Sequence, residues 1–289
     1  MTAAFPWSTQ AIVAQALAED LGPGDLTTRL CVPASQRGQA FVAARAELIV
    51  SGLEAMEEAF RQVDPAVKCR RLVADGDCLG AGERAAIVEG PSVAILAAER
   101  TALNFLGRLS GVASHTRRFV LAAEAAKRPA PRVLDTRKTT PGLRLLEKAA
   151  VRHGGGLNHR FGLHDGILVK DNHIRAVGSV AAALDLVRLG APHLMKIEIE
   201  VDDLEQLQEA LAHHADAVLL DNMSPAQLQL AVATAERFFA PGPRRTLLEA
   251  SGGVTLANIG QTAQAGVDYI SVGSLTHGAV WADFGLDWS

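Results

Sequence analysis

The chain is poor in the residues that would place it in several large classes of protein. It has three cysteines, Cys31, Cys69 and Cys78, an odd number without CxxC spacing, which suggests neither a disulfide framework nor a zinc site. A reducing, cytoplasmic setting is therefore expected. No apolar run reaches the roughly 18 residues that a membrane span requires. The first twenty residues, MTAAFPWSTQAIVAQALAED, carry no basic flank ahead of their apolar stretch, so a soluble, untargeted chain is expected. There is no excess of positive charge either: the formal net charge is −4 and the pI is about 6.1, against the broad basic surface of a general nucleic-acid binder. No cluster of His or Cys points to a transition metal.

What the chain does have is a core and a local positive field. With 289 residues, 48% of them hydrophobic, it can fill one large or two modest domains. Between Arg132 and Lys170 stand eight Lys or Arg (Arg132, Arg137, Lys138, Arg144, Lys148, Arg152, Arg160, Lys170) against three acids (Asp135, Glu147, Asp165). A local excess of five positive charges in an acidic chain predicts a site for small anions.

Hydrophobic periodicity predicts the framework. Thr9–Leu21 reads as an amphipathic helix behind Ser8 as N-cap, ended by Gly22-Pro23-Gly24. Strand patterns at Ala40–Ala44, Leu48–Val50 and Ala85–Val88 surround a helix at about Leu53–Gln62, a small α+β unit. A long helical stretch follows Pro91, and Gly107 and Gly111 are expected to bend or split it.

After Pro131 the rhythm becomes strand, loop, helix. Strand cores are read near Val133-Leu134, Ile167–Val169, Met195–Ile199, Val218–Leu220, Thr246–Leu248 and Tyr269–Val272. Helices are read at Gly142–Arg152, Ser179–Leu189, Asp203–Ala212, Pro225–Phe239 and Leu256–Ala265. Such repeats predict a parallel sheet, here a barrel short of the usual eight strands. In Lys196-Ile197-Glu198-Ile199-Glu200 the charges share one face and the isoleucines the other, which suits a barrel lumen or an exposed edge strand.

Active sites of such folds form where the strands end. Asp135, Arg137 and Lys138, Lys170, Glu200, Asp221, Glu249–Gly253 and Gly273 stand there. Singly, each reads equally well as a solvated loop charge or a satisfied ion pair; polar punctuation at every strand end does not. Ser251-Gly252-Gly253 and Val272-Gly273-Ser274 would let a phosphate approach backbone N–H groups, although glycine is common in such turns for steric reasons alone. Glu200 and Asp221 are hard oxygen donors suited to magnesium, directly or through water. Thr139-Thr140-Pro141 is expected to cap a helix ending at Gly154-Gly155-Gly156, adding partial positive charge beside Arg137 and Lys138. His153 and His164 read as surface or loop histidines, whereas His159, next to Arg160, is better placed.

Over nearly its full length the chain resembles the quinolinate phosphoribosyltransferase family. The resemblance rests on EDLGPGDLTT (Glu19–Thr28), ERTALNFLGRLSGVAS (Glu99–Ser114), the forty residues Leu134–His173, VLLDNMSP (Val218–Pro225) and LEASGGVTLANI (Leu248–Ile259). It implies an incomplete parallel α/β barrel, residues 114–275, beside a smaller N-terminal α/β domain, residues 1–113, which the tail 276–289 could join. It also implies transfer of phosphoribose from PRPP to quinolinate, with Mg2+, and loss of CO2 to give nicotinate mononucleotide, a step of NAD biosynthesis. By similarity Arg137, His159, Arg160 and Lys170 hold quinolinate, joined by Arg100 of the neighbouring subunit in a homodimer, or a hexamer built from dimers. Thr136, Lys138, Glu200 and Asp221 would handle ribose, pyrophosphate and metal, with Lys138, Glu200 and Asp221 catalytic. Ser251, Gly252, Gly253, Val272, Gly273 and Ser274 would hold the 5′-phosphate. Ala150, where the family often has an aromatic residue, and Gly278, where it often has serine, depart from the pattern and are expected to alter packing only.

Three other readings remain on sequence grounds. A paralogue could use another acceptor, a non-catalytic regulator could bind PRPP, and a barrel aldolase could use Lys170 as a Schiff base. The regulator would be expected to lose Arg100, Arg137 or Glu200, and none is lost.

Overall fold

The computed structural model describes residues 8–243 and 245–289; the first seven residues of the N-terminal stretch lie outside it. The chain divides into two compact units. One holds the described residues up to Arg117 together with Thr139–Gly155 and Leu275–Ser289; the other holds Arg118–Lys138 and Gly156–Ser274.

Before the long helix come α1 (Thr9–Leu21), α2 (Leu26–Cys31), β1 (Arg37–Ala44), β2 (Leu48–Ile49), α3 (Leu53–Val63), β3 (Lys68–Arg71), β4 (Cys78–Leu79) and β5 (Arg84–Pro91). Then follow α4 (Ser92–Ala126), β6 (Arg132–Leu134), α5 (Arg144–His153), β7 (Ile167–Val169), α6 (Asp171–Val177), α7 (Val180–Gly190), β8 (Ile197–Val201) and α8 (Leu204–Ala212). The chain ends with β9 (Ala217–Asp221), α9 (Pro225–Phe239), β10 (Leu247–Ser251), α10 (Ile259–Gln264), β11 (Tyr269–Ser271), α11 (Ser274–His277) and β12 (Phe284–Trp288).

In the first unit an antiparallel sheet runs β12-β1-β5-β3. Its apolar residues alternate: Ala40, Val42 and Ala44 of β1 face the core with Ala86 and Val88 of β5. Leu53, Met56 and Phe60 of α3, at helical spacing, are buried in the same unit.

Helix α4 is one unbroken helix, contrary to the expected bend or split at Gly107 and Gly111. Those glycines serve close approach instead. A Cβ on either would come within 3.0 Å of a carbonyl oxygen, that of Ala282 for Gly107 and that of Val280 for Gly111, and Ala282 N–H donates to Gly107 O at 2.9 Å. Helix α5 also differs from expectation. It begins at Arg144 behind Leu143 with no side-chain cap, because Thr140 is held by Glu147: the Thr140 N–H and Oγ1 donate to that carboxylate at 3.0 and 2.7 Å. The expected cap at Thr139-Thr140 is therefore not made, and the helix starts three residues beyond Pro141.

The second unit carries a six-stranded parallel sheet, β6-β11-β10-β9-β8-β7. Its end strands β6 and β7 do not pair with each other. Leu157 instead takes a parallel bridge on β6, with Leu157 N–H donating to Val133 O and Asp135 N–H to Leu157 O. The incomplete barrel is thus a sheet left unclosed between its ends. Val218, Leu220, Leu248 and Ile270 at its centre are fully buried. Good local signals set the helices that cross between strands: Ser179 caps α7, Asp203 caps α8, and Ser224 with Gln227 forms a capping box ahead of Pro225 in α9. Strand β8 pairs on both sides, so the exposed-edge reading fails. It also lies two residues later than expected, which puts Glu200 within the strand. Ile197, Ile199 and Val201 are buried, and Glu198 and Glu200 take the opposite face.

Candidate active site

All six parallel strands present their C-terminal ends to one cavity of about 610 Å³. Strand β6 leads into Thr136, Arg137 and Lys138, and β7 into Lys170; β8 contributes Glu200, β9 Asp221, β10 Ser251, and β11 Ser271. His159 and Arg160 from the loop before β7, and Gly252-Gly253 after β10, complete the polar wall. Of the eight cations in the dense segment, four line this cavity: Arg137, Lys138, Arg160 and Lys170. Arg144, Lys148 and Arg152 belong to α5 in the other unit, and Arg132 opens β6 at the opposite end of the strand.

The cations crowd one another. Burial lowers the pKa of Arg160, and the charge of Arg137 lowers it further, while Glu198 and Asp165 oppose the shift. Arg160 is anchored by donating to Gly166 O at 2.9 Å. Two guanidinium groups held close enough to repel form a receptor for a planar carboxylate, whose bidentate pairing relieves that repulsion. Lys170 Nζ meets Glu200 Oε2 at 3.1 Å, so the cationic and acidic sides of the cavity touch there.

Beneath the cations lies a cluster that sequence reading did not assemble. Buried Asp135 accepts from Asn158 Nδ2 at 2.6 Å and from the His159 N–H at 2.8 Å, which fixes the loop carrying His159 and Arg160. Asp135 is thus a framework group, not part of the cavity lining. His159 Nδ1 accepts the Arg160 N–H at 2.7 Å, and its Nε2 points at Glu198 Oε2, 3.1 Å away, with Glu249 Oε1 at 3.9 Å.

His159, Glu198 and Glu249 bring ligand-type atoms within 4.8 Å of one another. A metal ion there would need Nε2 deprotonated as well as Nδ1, an imidazolate; the tautomer set by the Arg160 bond instead places a proton on Nε2. The arrangement is that of a hydrogen-bonded support. Burial pushes the Glu249 carboxyl up to about 7, and the charge of Glu198 adds to the shift, while His159 opposes it. Its Oε1 is buried without a hydrogen-bond partner. The sequence marked His159 and Glu249 separately and showed the Glu198/Glu200 alternation, but nothing local links residue 159 to residue 249.

Glu200 and Asp221 offer the hard oxygen donors that magnesium takes, in the same cavity as the glycine loop, and so fit such an ion. Gly252 and Gly253 have positive φ, +91° and +62°, a backbone that favours glycine. In the second expected loop Val272 is buried, its N–H donating to Leu134 O at 2.9 Å, and the preceding Ser271 lines the cavity. Arg100 is exposed on α4, in the other unit. His164 is an exposed loop residue, whereas half-buried His153 meets Ser51 Oγ through Nδ1 at 2.9 Å. Ala150 is fully buried and Gly278 exposed. Asn222, unassigned from sequence, also lines the cavity.

Residues 25–110 match the sequence model described as quinolinate phosphoribosyl transferase, N-terminal domain, and residues 112–287 the one for the C-terminal domain. The chain is 43% identical to the probable nicotinate-nucleotide pyrophosphorylase [carboxylating] of Bacillus subtilis over 269 residues, covering 93% of this chain and 89% of the relative. It is 43% identical to the nicotinate-nucleotide pyrophosphorylase [carboxylating] of Mycobacterium leprae over 280 residues, covering 95% of each. Among solved structures, the nicotinate-nucleotide pyrophosphorylase from Francisella tularensis superimposes with a TM-score of 0.89 at 37% identity, covering 97% of this chain and 96% of that one.

Proposed function

The chain belongs to the quinolinate phosphoribosyltransferase family, and on that premise we propose how its cavity carries out the family's reaction. The enzyme transfers phosphoribose from PRPP to the nitrogen of quinolinate and releases CO2, giving nicotinate mononucleotide and pyrophosphate. The observation that carries the reading is the single cavity lined together by Arg137, Arg160 and Lys170 and by Glu200, Asp221 and the 251–253 loop.

Quinolinate brings two carboxylates to the cationic side, where Arg137 and Arg160 receive them as forks and Lys170 as a point charge. His159 shapes this wall through Arg160 and Glu198. The 5′-phosphate of PRPP lies against Ser251, Gly252 and Gly253, whose backbone it can approach closely. Glu200 and Asp221 would hold Mg2+, directly or through water, and the ion would supply charge neutralisation for the departing pyrophosphate. Lys138 stands beside them as a further cation for the same oxygens.

As pyrophosphate leaves, positive charge grows on the ribose ring, and Glu200 and Asp221 stabilise it where it develops. Holding the pyridine nitrogen at the anomeric carbon makes the encounter effectively unimolecular. Once ribosylated, the ring nitrogen is cationic and stabilises the carbanion left at C2 when the 2-carboxylate departs as CO2; a proton from water then forms the C2–H bond of the product. Arg100, exposed on α4, completes the quinolinate pocket of a neighbouring subunit, so the working unit is a homodimer. Mixing two inactive variants, Arg100→Ala and Glu200→Ala, then restores activity through native sites at mixed interfaces; no recovery after subunit exchange counts against a shared site.

The direct test supplies purified protein with quinolinate, PRPP and magnesium, and follows nicotinate mononucleotide and CO2, with nicotinate as competing acceptor. Product from quinolinate alone is the expected result. Turnover of nicotinate only would assign a different acceptor, and PRPP binding without turnover would make the chain a regulator.

A further inference from the structure

One residue of the cavity wall stands in a backbone region that few residues other than glycine and asparagine adopt. Asn222 follows β9 with φ +54°, the left-handed region, in a position where glycine would be at ease. It is exposed to the cavity, so packing does not explain it. A residue other than glycine in this region at a site is a place where side-chain contacts can hold the backbone.

The contacts say what it is needed for. Asn222 Nδ2 donates to Asp221 Oδ2 at 2.6 Å, and its backbone N–H donates to Ser251 O at 2.9 Å. Its Oδ1 and Cγ, and its backbone nitrogen, all lie within 3.0 Å of where a Cβ on Gly252 would stand. The residue therefore spans the two strand ends, touching the carboxylate on β9 and the glycine loop after β10. Gly252 has a second reason to be glycine beyond phosphate approach: any side chain would displace the Asn222 amide.

We infer that Asn222 is a positioning residue that orients the Asp221 carboxylate and sets its spacing to the Ser251–Gly253 loop, so that metal-bound PRPP meets both in register. An amide suits the task. It donates to one carboxylate oxygen and leaves the other for a cation, and its short side chain tolerates the left-handed backbone. Aspartate would keep the shape but lose the donor and set like charges side by side. Glycine would relieve the backbone and lose the tether.

The inference rests on the reading of Asp221 as part of the PRPP side of the site, so Asp221→Asn is measured in parallel with Asn222→Gly and Asn222→Asp. Melting temperature, the KM for each substrate and the magnesium concentration for half-maximal rate are the readouts. Loss of one charge-assisted hydrogen bond corresponds to a change of about tenfold or more. Asn222→Gly is expected to melt no lower than wild type while raising the PRPP KM and the magnesium requirement about tenfold, with the quinolinate KM within about twofold. Asn222→Asp is expected to be impaired at least as severely in the same two quantities, although it is nearly isosteric. If both variants keep wild-type PRPP and magnesium dependence while Asp221→Asn loses it, Asn222 is only a turn residue and the inference is wrong. If Asp221→Asn also leaves PRPP and magnesium dependence unchanged, the reading of Asp221 fails and takes the inference with it. Should Asn222→Gly not fold, the Asn222→Asp result decides alone.

Discussion

The guanidinium of Arg108 meets the carboxylate of Glu147 through two hydrogen bonds, Nε at 3.0 Å and an Nη at 2.6 Å, with Glu147 fully buried. Glu147 also receives the N–H and hydroxyl of Thr140, and Arg108 also donates to the carbonyl oxygens of Thr276 and Ala279 at 2.7 and 3.1 Å. Helix α4, the loop before α5, and α11 with the chain just after it are joined at one buried charge pair. Arg108→Ala leaves that carboxylate without its counter-ion and is expected to cost about 3–5 kcal/mol. Arg108→Lys is expected to recover only part, since an ammonium cannot reproduce the fork. Urea unfolding of both variants measures this; a loss below about 1 kcal/mol for Arg108→Ala would show that the pair is not needed.

The charge of Arg137 acts against that of Arg160 in the free site, and in the proposed pocket a bound quinolinate carboxylate would relieve the repulsion. Arg137→Ala is expected to raise the quinolinate KM by about 100-fold, the loss of a bidentate charge-assisted pair, with the PRPP KM changed far less. Steady-state kinetics with each substrate varied in turn reads the split. Near-normal quinolinate saturation would remove Arg137 from the pocket.

Gly111 and Gly190 form a matched comparison. A Cβ at 111 collides with the Val280 carbonyl, whereas a Cβ at 190, the last residue of α7, meets nothing within 4 Å. Gly111→Ala is expected to destabilise by about 1–3 kcal/mol, and Gly190→Ala to be neutral or stabilising by less than about 1 kcal/mol. Thermal melts of the two side by side check this, and equal melting temperatures would refute the close-approach account.

Glu249 ties stability to pH. Its folded pKa, about 7, lies above its ordinary value of 4.5, so the folded state holds a proton that the unfolded chain has released. The stabilising contribution is fully present below about pH 4.5 and is lost as pH rises through about 7. A shift of this size corresponds to at most about 3 kcal/mol between those limits. Glu249→Gln removes the titration, so relative to wild type it is expected to gain stability between pH 5 and pH 8. Parallel unfolding curves for the two proteins across that range would show that Glu249 ionises normally.

The βα repeat was legible because its signals are local. Ser179, Asp203 and Ser224 cap their helices where the sequence places them, and α1 and α9 have the bounds read from periodicity. Strand-end residues were legible for a similar reason, since a polar residue after an apolar run is visible in a short window. Lys148 and Arg152 misled for the converse reason. Their nearness in sequence to Arg137 and Arg160 counted as one field, but α5 carries them into the other unit.

By itself the sequence determined the order and kind of elements, the family, and the residue types at the ends of the parallel strands, because side-chain period, caps and motifs act within a few residues. Only the tertiary structure decided which strands are neighbours, that α4 runs unbroken past glycines reserved for Val280 and Ala282, and that His159 stands over Glu198 and Glu249. Those relations join residues tens to more than a hundred positions apart. Hydrophobic burial and the demand that buried charges find partners settle them once the whole sheet has formed.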